Sequence, residues 1–259
     1  MSSNITNNVI QHFTYDWLIR FMELTPEDAN PNLGDISPLF NECAKKYAPR
    51  FLSSTFLDQI SDCVPSNFKG KVIITDCVSI KSSQELAKLK RPNIHFHISD
   101  ALWLNIMNLE FFDFKRVLGK SIKNRVVMSE CQFASPVLFS ELLPLVYHCE
   151  KIMLEVRNLH YDASNAVSIY NCPRLEHLEL HHLPASEAFI HLIVDFCLTS
   201  KCDRLLLLLY FNEDANIFVV RNIAALIRYK ISTSDIFRPI DYGPQFPSRD
   251  VELILEYIY

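Results

Sequence analysis

Apolar positions recur at an uneven period in the stretch CPRLEHLELHHLP. Its leucines stand at Leu175, Leu178, Leu180 and Leu183, with spacings of three, two and three. A strand alone alternates every second residue, and a helix returns every third or fourth. The mixed period predicts a short strand with Leu178 and Leu180 on one face. Leu175 enters from the turn before it, and a turn after it brings Leu183 back over the same interior. One such unit cannot bury its own apolar face, so it must stack on copies of itself.

Copies are present. CDRLLLLLYF holds Cys202, Leu205, Leu208 and Tyr210 in the same frame, and CEKIMLEV holds Cys149, Ile152, Leu154 and Val156 one residue shorter. KVIITDC gives Val72, Ile74 and Cys77; RVVMSEC gives Val126, Met128 and Cys131; NIHFHIS gives Ile94, Phe96 and Ser99. Strands are expected to begin near residues 71, 93, 124, 151, 174 and 204. The steps between them bracket the repeat length of about 20–29 residues known for leucine-rich repeats.

Helical patterns fall between these strands. SPVLFSELLPLVYHC offers Ser135 as N-cap and Pro136 in the first turn, with Pro144 bending or shortening the helix. ASEAFIHLIVDFCL carries Phe189, Leu192, Ile193 and Phe196 at helical spacing, and NEDANIFVVRNIAALIRY carries Ile217, Val220, Ile223 and Leu226. SSQELAKL fits one or two turns, and stretches 100–123 and 160–171 read as irregular. The ends differ from the middle. NNVIQHFTYDWLIRFMEL predicts a helix with Phe13, Trp17, Phe21 and Leu24 along a stripe. DISPLFNECAKKYAPRFLSSTFLDQI predicts helices through Leu39, Phe40, Cys43 and Tyr47, then Phe51, Phe56 and Ile60. PEDANPNLGD between them is a loop, and STSDIFRPIDYGPQFPSRD an irregular loop or tail. The spacing of Val251, Ile254, Leu255 and Ile258 predicts a closing helix, although so short a run also fits a strand.

Composition narrows the function classes. The 259 residues are 49% hydrophobic and 21% charged, an ordinary globular balance, with a net charge of −5 that favours neither nucleic acid nor an anionic membrane. Only four glycines occur, which argues against a phosphate-cradling loop. The longest apolar run, RLLLLLYF, is too short to span a bilayer. The eight cysteines form no C-x-x-C pair, several lie in apolar runs, and no signal-peptide pattern precedes them. They are expected to be reduced core residues of a cytoplasmic or nuclear chain.

The L-x-x-L-x-L frame with cysteine beside the strand, NCPRLEHLEL above all, resembles the cysteine-containing leucine-rich repeats of F-box proteins over residues 68–230. The asparagine or cysteine that follows the strand in that family stands at Cys77 and Cys131; Leu159 and Leu183 take its place later. WLIRFMELTPEDA and LFNECAKKYAPRFL resemble F-box helices, although Phe13-Thr14 stands where that motif opens with Leu-Pro. The resemblance implies an F-box-like or capping helical region over 8–62, an irregular α/β solenoid with a parallel sheet over 68–230, and a tail and cap over 231–259. It further implies a non-enzymatic substrate-recognition adaptor of an SCF-type ubiquitin ligase, a monomer within its complex. Trp17, Phe21 and Leu24 would dock a Skp-type adaptor, and the repeats would hold a protein target. A free-standing repeat scaffold that masks a partner, with the helices as a cap, is the alternative.

Candidate chemistry is sparse. His177, Glu179 and His181 share one side of a strand about 7 Å apart per pair. Zinc needs ligands converging at about 2 Å, and Arg157 on the preceding strand would repel it, so a solvated polar face is the expected reading. His95 and His97 read the same way. No cysteine has a nucleophile's signature, and no hydrolase, metalloprotease or P-loop motif occurs. No enzyme activity, cofactor or metal is expected. The expected recognition surface is a concave array that includes Thr75, His95, His97, Ser129, Glu155, Arg157, Glu179, His181 and Phe211.

Overall fold

The computed structural model describes residues 15–25, 37–56, 67–88, 90–118, 122–161, 174–199, 204–212, 214–232, 237–240 and 250–257. Phe13, Ile60, Cys63, Cys172, Cys202, the 26–35 loop and the 241–249 segment lie outside them, so the readings placed there have no structural counterpart.

The chain is α/β with a mostly parallel sheet. Helices α1 (Tyr15–Leu24) and α2 (Pro38–Tyr47) come first, then strand β1 (Arg50–Phe56). Strands β2 (Val72–Ile80), β3 (Ile94–Asn105), β5 (Arg125–Phe133), β7 (Lys151–Val156), β9 (His177–Leu183) and β10 (Arg204–Phe211) follow, each parallel to the one before. Two-residue strands β4 (Asn108–Leu109), β6 (Val137–Leu138) and β8 (Leu159–His160) pair parallel beside the main path, β4 with β5 and β6 with β8. Strand β12 (Asp250–Tyr257) then closes antiparallel on β10 and on β11 (Phe237–Ile240). Helices α3 (Ser83–Lys88), α4 (Phe111–Leu118), α5 (Phe139–Val146), α6 (Glu187–Thr199) and α7 (Ile217–Ser232) lie between strands.

The core follows strand parity. Val126 and Met128, Ile152 and Leu154, Leu178 and Leu180, and Leu205, Leu207 and Leu209 are all buried. They share one cluster with Phe114, Leu142, Phe189, Ile193, Val220 and Ile223 of the helices. The uneven leucine period has a backbone cause. His182 adopts φ 56, which shifts the chain by one residue, so Leu183 rejoins the core three positions after Leu180. The same device recurs. Ile106 (φ 48) separates buried Leu104 from Met107, and Glu130 (φ 49) separates Met128 from Cys131. Ile106, just past β3, and Glu130, in the adjacent β5, lie side by side, and the Ile106 N–H donates to the Ser129 carbonyl at 2.9 Å. Asn158 clamps this level: its side chain accepts from the Phe133 N–H at 2.8 Å and donates to the Phe133 carbonyl at 2.6 Å. Within the core, Phe111, Phe114 and Phe133 form a ring cluster with centroids 5.5–6.2 Å apart.

Helices α1 and α2 make a second, smaller core from Leu18, Met22, Phe40, Cys43 and Tyr47. Ser37 caps α2 by accepting from the Phe40 N–H at 3.3 Å, with Pro38 at the first turn. The pair is tied to the sheet by backbone: the Lys69 and Gly70 N–H groups both donate to the Lys46 carbonyl at 3.1 Å. A Cβ on Gly70 would lie 2.5 Å from the Tyr47 carbonyl oxygen, so this approach requires glycine.

Several expectations need correction. Residues 50–56 are an edge strand rather than a helix, since Pro49 forces the preceding Ala48 extended (ψ 138) and the chain then pairs with β2. The closing element is strand β12, because an apolar run of that length also satisfies β pairing, and the 231–249 segment contains β11. Stretch 100–123 is not irregular: β3 runs on to Asn105, and α4 follows. Helix α5 starts at Phe139 rather than after Ser135, because Val137 and Leu138 pair with β8. In β10 the core residues are Leu205, Leu207, Leu209 and Phe211, so Leu208 and Tyr210 point to the other face. Five consecutive leucines carry no alternation from which to read the phase.

Candidate recognition face on the sheet

Strand residues of the opposite parity form a second face. Trp103, Val127, Met153, Leu206 and Leu208 are half-buried and belong to neither core cluster. Helices α3 to α7 pack on the other side, and among the described residues none of them covers this face. Parallel sheets are normally covered on both faces, which makes an uncovered one a natural place for a partner.

Strand register arranges the face in rows, with neighbours about 4.8 Å apart. One row runs Arg125–Lys151–His177–Leu206. The next runs Ser79–Trp103–Val127–Met153–Glu179–Leu208. Two residues further along each strand stand Asn105, Ser129, Glu155, His181 and Tyr210. In this last group the Ser129 hydroxyl donates to Glu155 Oε2 at 2.8 Å, and the Glu130 N–H reaches the same oxygen at 3.1 Å. Glu179 is bracketed by two imidazoles, His181 Nε2 at 2.8 Å and His177 Nε2 at 3.4 Å. The His181 ring stacks on Tyr210 with centroids 4.2 Å apart. These side chains are only 15–28% exposed, so the carboxylate and its partners form a rigid wired patch rather than solvated surface groups. Among the described residues no group of three or more His, Cys, Asp or Glu side chains is placed to hold a metal ion.

The expected array is partly assembled and partly dispersed. Ser129, Glu155, Glu179 and His181 share the face. Phe211 does not: it is buried, edge-on to Phe189 at 5.8 Å, because β9 has one more residue than β10 at the kink. Arg157 lies past the end of β7 in an exposed turn, its N–H donating to the Cys131 carbonyl. His95 and His97 are exposed on the first half of β3, where they register with Ile73 and Thr75 of β2 and, through it, with Phe51 and Ser53. Strand β5 pairs only with residues 101–105, so both histidines lie off the rows above. Partial burial, with Lys71, His97 and Arg116 adding to it, holds His95 below the usual imidazole range.

Trp103 lies in a stretch whose pattern reads as irregular, and Arg125, Val127, Lys151 and Met153 stand at the non-core parity of their strands. Each was legible as the alternate position of an identified strand. Burial pushes the thiols of Cys131 and Cys149 up to about 12, and burial followed by the Asp100 carboxylate pushes Cys77 to about 11. Cys77 Sγ lies 2.9 Å from Asp100, whose carboxyl is in turn held below its ordinary range by that bond and by Asn124. The described cysteines Cys43, Cys77, Cys131, Cys149 and Cys197 are all free.

At the other end, the stripe expected on α1 is split: Phe21 packs against the small core, edge-on to Phe40 at 6.2 Å, while Trp17 and Leu24 are exposed. Leu18 and Met22 face α2, while Trp17 (42% exposed) and Leu24 (81%) face away, with Phe21 stacked on Trp17 at 5.1 Å. No family model, curated protein or solved structure matches this chain. Among the described residues no helix is long and apolar enough to cross a membrane.

Proposed function

We propose that the chain is a non-enzymatic protein-recognition module, an irregular leucine-rich-repeat-like solenoid whose uncovered sheet face receives a protein target. The observation that carries this reading is the row Trp103–Val127–Met153. These apolar side chains stand on adjacent strands, outside both cores, beside fixed polar groups. Rigid aromatic and aliphatic anchors rimmed by polar groups are what protein interfaces use. Trp103→Ala and Met153→Lys leave the core untouched. They are expected to abolish co-purification of bound proteins from cells while the melting temperature shifts little. Equal recovery with both variants would refute the assignment.

A more particular form is a substrate-recognition adaptor of an SCF-type ubiquitin ligase, active in the cytoplasm or nucleus. It is favoured by the outward-facing Trp17 and Leu24 on a helix pair that holds its own small core. Full-length chain should bind a Skp-type adaptor, and Trp17→Ala with Leu24→Ala should remove that binding without affecting the sheet face. Absence of binding by the unaltered chain would leave the free-standing scaffold.

A further inference from the structure

Arg125 and Lys151 are directly opposed on adjacent strands of the uncovered face, and both are half-buried. Like charges so placed repel one another. Among the described residues neither has a carboxylate within ion-pairing distance, although such pairs form elsewhere, as at Lys90–Asp113 (2.7 Å). Nearby carboxylates are otherwise engaged or turned aside. Glu179 is taken by the two histidines, Glu155 by Ser129 and the Glu130 N–H, and Asp100 by Cys77 and Asn124, with Arg125 close enough to Asp100 to help hold its carboxyl down but not ion-paired with it. Glu150 and Glu176 lie in the turns before β7 and β9. Two cations thus face a single, already hydrogen-bonded carboxylate near Arg125, and the pair presents excess positive charge in a chain whose net charge is −5. Its location is specific: it borders Val127 and Met153, one step of two residues away along the same strands.

From this juxtaposition we propose that the target segment is an extended acidic–apolar peptide. It would place one carboxylate across Arg125 and Lys151 and one aliphatic or aromatic side chain on Trp103, Val127 and Met153. The rows are about 7 Å apart along the strand, which matches the i to i+2 distance of an extended chain. The recognised unit is thus Glu-x-Leu or its equivalent, with the middle side chain turned to solvent. The carboxylate supplies orientation and specificity, and the apolar contact supplies most of the affinity. This inference rests on the sheet-face reading above and names its partner.

The test uses full-length chain and a fluorescein-labelled decapeptide carrying two Glu-Ser-Leu units, compared with the same peptide bearing Lys for Glu. Anisotropy gives the affinity, and Trp103 emission in a Trp17→Phe background reports the site. The Glu peptide is expected to bind at least about tenfold tighter than the Lys peptide. Arg125→Glu with Lys151→Glu should reverse that order, a swing of about a hundredfold. Equal binding of both peptides, or no effect of the charge reversal while Met153→Lys still removes binding, would overturn the acidic partner and spare the face. Binding that survives both Met153→Lys and the charge reversal would overturn the face as well, and so would the absence of any binding or change in Trp103 emission. Melting curves of each variant confirm that lost binding is not lost fold.

Discussion

The sheet behaves differently on the two sides of β3. From β5 to β9 the register is regular up to the Glu130 kink, and side chains of one parity line up across strands, as Arg125–Lys151–His177 and Val127–Met153–Glu179 do. From β1 to the first half of β3 the rows are just as regular, but they stand at another level. His95 and His97 align with Ile73 and Thr75 and stop there. Between the two halves of β3 the residues 98–100 take up an irregularity opposite Asp76, which itself has φ 59. One side of the sheet thus carries two groups of rows at different levels, joined through β2 and β3. Neighbouring strands do not guarantee a common surface; only a shared register does.

The largest effect should separate core parity from face parity. Phe133, fully buried among three rings, should cost about 3–5 kcal/mol when truncated to alanine, and Leu178→Ala about 2–5 kcal/mol, both read from urea unfolding. Val127→Ala, one residue from the core position Met128, should cost under about 1 kcal/mol, within the range of partly exposed sites. A loss as large as that of Phe133 would place Val127 in a core and break the distinction between parities.

Smaller effects sharpen the comparison between levels. His181→Ala should cost about 1 kcal/mol, since it removes both the Glu179 hydrogen bond and the Tyr210 stack. His95→Ala should stay within about 0.5 kcal/mol and leave binding at the uncovered face unchanged, because His95 is exposed and off-row. The kinks offer a test of opposite sign. Ile106 is a β-branched residue at φ 48 with its side chain 67% exposed. Ile106→Gly should be neutral or stabilise by up to about 1 kcal/mol, the reverse of glycine's usual effect, because it relieves the left-handed strain. Destabilisation beyond about 1 kcal/mol would mean that the side chain has a packing role.

The thiols add a pH dependence. In the folded chain Cys131 and Cys149 sit near 12, above their unfolded value. From about pH 8.5 upward the unfolded chain loses these protons and the folded chain retains them, so the unfolded state is favoured. The stability due to these groups is complete below that pH and falls as pH rises toward 12. Urea midpoints taken at pH 7 and pH 10 should therefore differ, and replacing both cysteines by alanine should flatten that difference. An unchanged slope would mean that the two thiols ionise alike in both states.

What the sequence disclosed follows from where its pattern is redundant. The strands at 72, 94, 125 and 151 are legible from alternating apolar residues, with a cysteine nearby in all but the one at 94; the strand at 204 is legible from its leucine run after Cys202, and the start expected near 174 lies three residues before His177. The turn of Leu183 into the core was also legible, though its cause, a left-handed His182, was not. Phase was lost in the five consecutive leucines of RLLLLLYF, and with it the location of Phe211. The edge strand β1 and strand β12 were misread because short apolar runs suit either backbone until a neighbour supplies hydrogen bonds. The recognition face was half legible: Glu155, Glu179 and His181 stood out by charge, whereas the Trp103–Val127–Met153 row exists only through register between strands distant in sequence.

Peroxide oxidation of the native chain, followed residue by residue with mass spectrometry, asks most directly whether the two parities face different surroundings. Met153 on the uncovered face should convert to the sulfoxide readily, while Met128, fully buried on the adjoining strand, should stay protected until the chain unfolds. Oxidation of Met128 at the rate of Met153, or protection of both, would contradict the arrangement on which the recognition surface depends.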